Sequence, residues 1–257
     1  SNEDEPQVLL LVSDANGNPL RWIKGSAKKG LHRVNWDLKL PAPDPINLTQ
    51  PAFKPPWVGD AEGPLVAPGT YNVVLYMVNN GALKKQGDAQ EFTVKPVKNT
   101  DSNADFSAIA KFQVKTSELF RQMSSAGRKL GEAGNRIRFM KAALLETPKA
   151  TPKLFGDLNQ LEETLAELRK EMYGDPARRR MNESTSPTFQ SRLWNVIGGH
   201  WATRLNPTET QKRNIEIAEN EFGKFRMKVS TYFNRLEAYE AALEKAGAPY
   251  TPGRKFD

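Results

Sequence analysis

The chain has 257 residues, 38% of them hydrophobic and 26% charged, a length and composition that suit a two-domain globular protein. It has no cysteine, which excludes disulfides, thiol catalysis and cysteine-ligated metal or iron–sulfur centres, and no run approaches the ~18 apolar residues needed to cross a bilayer. The net charge of +7 is uneven: residues 1–96 hold ten basic and ten acidic side chains, so the whole excess falls in residues 97–257.

Ser1–Pro6 is polar and acidic and does not itself read as a leader. Val8–Val12 is a short apolar run closed by Asp14-Ala15-Asn16-Gly17-Asn18, the pattern of a strand and tight turn, and Leu20–Ile23 resumes it. Leu31–Leu38 alternates strictly, which predicts a strand with His32, Val34, Trp36 and Leu38 turned to the core. Residues 41–68 hold eight of the eighteen prolines and cannot form a central strand. A loop of that length is usually functional or docks on something. Tyr71–Val78 and Gln90–Val94 read as strands, the first closed by Asn79-Asn80-Gly81, whose Asn-Gly pair supplies the positive φ of a hairpin turn. Short strands at this spacing predict an immunoglobulin-like β-sandwich over residues 1–97, with the proline-rich loop at 41–68.

After Val97 the apolar period becomes helical, which predicts an all-helical bundle over residues 98–257 and an α+β, two-domain chain. Phe106, Ile109, Phe112, Leu119, Phe120 and Met123 share one stripe, and Ile137, Met140 and Leu144 continue it. Gly127, Gly131 and Gly134 between them predict a kink or break. Leu154–Met172 marks a second helix, and residues around Thr188–Ile197 a short one. Thr208-Glu209-Thr210-Gln211 reads as a capping box that opens the longest helix, with Phe222, Phe225, Val229, Phe233 and Leu236 on its apolar face and Gly247 and Pro249 at its end.

Few residues carry chemistry. Asp14–Asn18 resembles a calcium loop only superficially, because Gly25 stands where an EF-hand needs its closing glutamate, so a hairpin turn is the plain reading. His32 and His200 are the only histidines, too few for a three-histidine centre and not in ligand spacing; His32 reads as half-buried. No nucleophile elbow, phosphate-cradling loop or dinucleotide fingerprint occurs, so no catalytic residue, metal site or cofactor is assigned. A glycosidase carboxylate pair has no sequence signature and stays open. Of the five tryptophans, Trp22 and Trp36 fall in strands and read as core. Trp57, Trp194 and Trp201 fall in irregular segments and are the candidate binding aromatics, able to stack on a sugar or anchor a protein. Arg178, Arg179 and Arg180 form the one cationic run on an otherwise sign-alternating helical surface. They are the second candidate contact, for an acidic protein, anionic lipid or, least favoured, nucleic acid.

Gly30-Leu31-His32-Arg33-Val34-Asn35-Trp36-Asp37-Leu38-Lys39-Leu40-Pro41, Ala67-Pro68-Gly69-Thr70-Tyr71 and Ala248-Pro249-Tyr250-Thr251-Pro252-Gly253-Arg254 together resemble the C-terminal region of large exported bacterial proteins of the sortilin-like, BNR (Asp-box) repeat type, a family of putative glycosyl hydrolases. The resemblance implies β-propellers first, then a small Ig-like domain and a helical tail. It implies export and a propeller of the same or another protein as partner. The Asp-box repeat, Ser-x-Asp-x-Gly-x-Thr-Trp, is absent from this sequence. Hydrolase residues of the family would therefore lie outside it, and the expected role is a non-catalytic accessory or docking module, with a glycan-binding module or a binder of anionic surfaces as alternatives.

Overall fold

The computed structural model describes residues 5–49, 53–97 and 103–254. It is α+β: an antiparallel sheet precedes five helices. The strands are β1 (Gln7–Asp14), β2 (Pro19–Gly25), β3 (Gly69–Asn79) and β4 (Ala82–Val94), and the sheet order is β2-β1-β3-β4. The helices are α1 (Phe106–Leu145), α2 (Pro152–Tyr173), α3 (Pro176–Arg180), α4 (Phe189–His200) and α5 (Glu209–Lys245). The chain divides into two compact units. One gathers Ser1–Pro43, Leu48–Ser117 and Gly199–Pro207; the other gathers Asp44–Asn47, Glu118–Gly198 and Thr208–Asp257. Beside a cut after Val97, this division places the first turns of α1 and the segment after α4 with the sheet. Residues 98–102 lie outside the described residues.

Both hairpins form where their turn residues stand. Asn80 and Gly81 take φ of 47° and 76°, the left-handed pair that a two-residue hairpin loop requires. Between β1 and β2 the Asp14 carboxylate accepts from the Asn16 and Asn18 amides, each at 2.9 Å, and from the Asn18 side chain at 2.8 Å. The Asn18 side chain above all holds that carboxyl below its ordinary range. The calcium-like string is thus a self-satisfied turn.

The alternating run 31–38 is not a strand. Part of its alternation survives as burial, with Val34, Trp36 and Leu38 half-buried and Arg33, Asn35 and Asp37 exposed, but only Lys39 bridges another segment, at Leu65. Leu38 takes φ 58°, which turns the backbone out of the extended region before a ladder can form. Trp36 sets this segment. Its ring stands edge-on to Tyr71 at 5.6 Å and to Phe92 at 5.9 Å, and its Nε1 donates to the Lys39 carbonyl at 3.1 Å. Arg21 donates to that same carbonyl at 3.0 Å and to the Asp37 carboxylate at 2.8 Å. His32, expected half-buried, is exposed, with Nε2 2.7 Å from the Lys28 carbonyl.

In the second unit, α1 runs unbroken through Gly127, Gly131 and Gly134, so the helix does not break where the glycines stand. A Cβ on Gly127 would lie 2.4 Å from the Tyr173 hydroxyl, and one on Gly134 2.3 Å from Arg169 Nη2. These glycines admit α2 side chains against the α1 backbone, where Arg169 donates to the Leu130 carbonyl at 2.9 Å. Contact with α2 thus outweighs a propensity cost of about 1 kcal/mol per glycine. Helix α5 opens on the expected capping box of Thr208 and Gln211. Its buried stripe passes through Tyr232, three residues after Val229, rather than through Phe233, which lies one step around the helix at a half-exposed position. Leu130, Met140, Leu193, Phe225 and Leu236 are among the fully buried side chains. Each stabilises by roughly 1.5–3 kcal/mol relative to exposure.

Gly131 has open space where a Cβ would stand. Gly131→Ala should therefore raise stability by about 1 kcal/mol, whereas Gly127→Ala and Gly134→Ala should gain less or nothing. Thermal melts of the three variants, read by circular dichroism, check this ordering.

Candidate interaction surfaces

In an antiparallel pair, residues directly opposite each other share a face. By register, Val8, Leu10, Ile23, Leu75 and Met77 lie on one face of the sheet. Leu9, Leu11, Trp22, Val74 and Tyr76 lie on the other. Both faces are apolar, yet only Val12, Ser13 and Tyr71 among the strand residues are buried. The segment around Trp36 covers the Val12–Tyr71 end of the first face, where Tyr71 also stacks on Phe92. Leu75 and Met77 stay exposed at the opposite end, and Leu83 on β4 is exposed as well. Trp22, expected in the core, is 45% exposed and stands edge-on to Tyr76 at 5.2 Å.

The sequence carried a signal for this. Val8–Val12 and Tyr71–Val78 are nearly continuous apolar runs, whereas a half-solvated strand alternates. The outer strand β4 is instead polar, from Lys84 through Glu91. Charge and the left-handed Gly87 there discourage pairing at that edge.

The proline-rich segment has a fixed stem and an exposed tip. Leu40 N donates to Pro64 O and Val66 N to Leu38 O, each at 2.9 Å. Gly63 is buried, and a Cβ on it would meet the Leu40 and Pro41 carbonyls within 2.4 Å, so only glycine fits. Beyond the stem, Leu48, Phe53, Trp57 and Val58 are all exposed, Trp57 at 82%. The Val58 amide closes a turn on the Pro55 carbonyl at 3.0 Å.

The other sequence candidates separate. Trp194 is half-exposed, its ring 4.8 Å from Phe120 in an edge-on contact. Trp201 is half-buried and its Nε1 donates to the Thr116 hydroxyl at 2.8 Å, a structural use. Arg178, Arg179 and Arg180 make up most of α3 and are exposed. Arg179 donates to the Tyr173 carbonyl at the end of α2, Arg178 stands 3.7 Å from Glu183, and Arg180 reaches the Pro176 carbonyl at 3.4 Å. Among the described residues of the second unit, no ring contact joins these arginines to Trp194.

The three strings behind the family resemblance are structural joints. Tyr71 donates its hydroxyl to the Ala67 carbonyl at 2.6 Å, which locks the turn into β3. After α5 the closing string folds back on the helices. Arg254 pairs with Glu244 at 2.9 Å and donates to the Ala248 carbonyl at 3.1 Å, while Gly253 packs against the Arg136 side chain. Arg136 in turn pairs with the buried Glu240. Among the described residues, no group of three or more histidine, aspartate or glutamate side chains could hold a metal ion. Among the described residues, no helix is long and apolar enough to cross a membrane.

Comparison with protein-family models, with curated proteins and with solved structures finds no match for this chain.

His200 is the one buried histidine. Its Nε2 lies 3.1 Å from the Leu205 carbonyl and its Nδ1 3.4 Å from the Gln113 amide nitrogen, so Nε2 carries the proton and Nδ1 accepts. Burial lowers its pKa. The unfolded chain therefore binds the proton more readily than the fold. Stability should be full above the ordinary histidine range near 6.5 and should fall as pH drops through the folded value. Urea midpoints measured from pH 7.5 to 5.5 should decline, and His200→Gln should flatten that slope.

Proposed function

We propose that this chain is a non-catalytic accessory module of a larger exported propeller protein, and that the sheet and the exposed Leu48, Phe53, Trp57 and Val58 are its docking surface. The observation that carries the reading is the sheet itself. It is apolar on both faces, its apolar side chains are mostly half-buried, and Trp22, Leu75, Met77 and Leu83 are exposed. Antiparallel sheets that meet water on one side show polar residues there, so a sheet with two apolar faces is built to be covered twice. Apolar side chains left half-covered and exposed in this way favour an interaction site. The exposed Trp57 supplies a rigid aromatic anchor.

The module is read as Ig-like at its sheet end and as a helical bundle at the other. Tyr71 supports the first part: a tyrosine at the start of a strand, bonded to a carbonyl four residues upstream, has the form of the tyrosine corner of Ig-like sandwiches. On this reading the sheet is one layer, and the extended segment through Trp36 with its Lys39–Leu65 bridge begins the second. The bundle reading rests on the long, one-sided apolar stripes of α1, α2 and α5. Its partner is the propeller of the same polypeptide or of another protein, and export follows from the family resemblance.

The coding sequence around residues 1–257 tests the parent: in-frame Asp-box repeats are expected, and a frame without them removes the propeller. Hydrogen exchange tests the surface. Amides of β1 and β3 should exchange roughly tenfold or more slowly in the intact parent than in the isolated chain. Equal rates in the two would overturn the docking role.

A further inference from the structure

The sheet unit holds a pocket of about 260 Å³ whose walls come from stretches of chain far apart in sequence. Leu38, Leu65 and Val66 belong to the stem of the proline-rich segment, and Val94 ends β4. Phe106 and Ile109 stand in the first turns of α1. Arg204 lies in the segment after α4. All of them fall within one compact unit.

The walls are mostly apolar, and no carboxylate stands among the lining residues. Gln113 is fully buried and its Nε2 donates to the His200 carbonyl at 3.1 Å, which fixes it as part of the wall. Arg204 is placed differently. It is half-buried, and its Nη1 donates to the Thr203 carbonyl at 3.2 Å. Among the described residues no carboxylate stands within ion-pair distance of it. Burial lowers its pKa, and no neighbouring charge offsets that effect. A cation drawn partly out of water without a counter-ion costs free energy, which folded chains ordinarily offset by pairing it with an anion. Lys95, exposed, also lines the pocket and adds charge of the same sign.

We infer that this pocket binds a small amphipathic carboxylate, in form a medium-chain fatty acid, whose head group pairs with Arg204 and whose chain lies against Val94, Phe106 and Ile109. The guanidinium is a planar fork that matches a carboxylate, and the bond to Thr203 leaves its Nε–Nη2 edge for that purpose. The size selects the body. The volume lies just below the ~300 Å³ at which drug-sized sites begin, which suits a ligand of roughly ten non-hydrogen atoms and is too small for a run of peptide. The apolar walls disfavour a bare inorganic anion, which would leave them unfilled. The pocket belongs to the chain itself and needs no parent protein, so it stands or falls apart from the docking surface of the sheet.

Calorimetric titration of the whole chain with octanoate at about pH 7.5, where the acid is ionised, tests this. Octanoate should saturate one site with a Kd of about 1 mM or tighter, the range open to a ligand of its size. Octanol carries the chain without the charge, and acetate the charge without the chain. Each should bind about tenfold or more weakly. Arg204→Gln should weaken octanoate about tenfold or more without lowering the melting temperature, because it removes a half-buried charge that has no partner. Ala110→Leu, which adds bulk to the lining from a half-buried helix position, should block octanoate with the arginine in place. Absence of saturation, octanol binding as tightly as octanoate, or binding undiminished by either substitution would each overturn the proposal. So would inorganic phosphate binding more tightly than octanoate with the same dependence on Arg204, which would make the pocket an oxyanion site.

Discussion

The indole of Trp36 is the contact on which the sheet unit depends. It covers Tyr71 and Phe92 on one face and directs its Nε1 to the Lys39 carbonyl, an acceptor that Arg21 shares. That carbonyl stands at the root of the proline-rich segment. The same few residues therefore close the sheet's one covered corner and fix the stem through Leu40, Pro64 and Gly63. Local satisfaction of polar groups there leaves the remaining apolar surface of the strands only half-covered. A corner this well determined beside faces this open is the physical basis for reading the sheet as half of an interface.

The helical unit is organised by a different constraint. Its helices meet at close range where glycine replaces a side chain, and at charge where a groove must be closed. Gly127 and Gly134 let Tyr173 and Arg169 lie against the α1 backbone. On the opposite side of α1, Arg136 and Glu240 form a pair whose removal by halves would strand a buried charge. The closing segment adds Arg254 to this cluster, with Tyr250 at 5.8 Å from the guanidinium. The tail is in this way a structural strut.

Much of this was legible in the sequence, and the exceptions share a cause. The strands at Val8–Val12 and Tyr71–Val78, the Asn80-Gly81 turn and the Thr208–Gln211 cap follow from short-range chemistry, which a sequence displays directly. The alternation of residues 31–38 reported the burial of Val34, Trp36 and Leu38 but not the exposure of His32, and it did not report the lack of ladder pairing, because Leu38 leaves the extended region. The three glycines of α1 signalled weak propensity, while the use of Gly127 and Gly134 lay on another helix. Tyr232 and Phe233 are neighbours of similar bulk, and which one faces inward over a helix of 37 residues depends on the phase of its packing. Trp57 was visible as a candidate because proline excludes it from a strand.

The strand order β2-β1-β3-β4 carries a consequence for how the chain acquires its fold. β1 with β2 and β3 with β4 are hairpins, each closed by a short turn, and both can form locally. Their union is one long-range step, β1 against β3, across everything from Ser26 to Pro68. Closing a loop costs free energy that grows only slowly with its length, but non-local pairing of this kind sets the pace of folding. Proline in that connection narrows the range of conformations open to the unfolded chain. The segment that presents Trp57 to the outside therefore also shortens the search by which the two hairpins find each other.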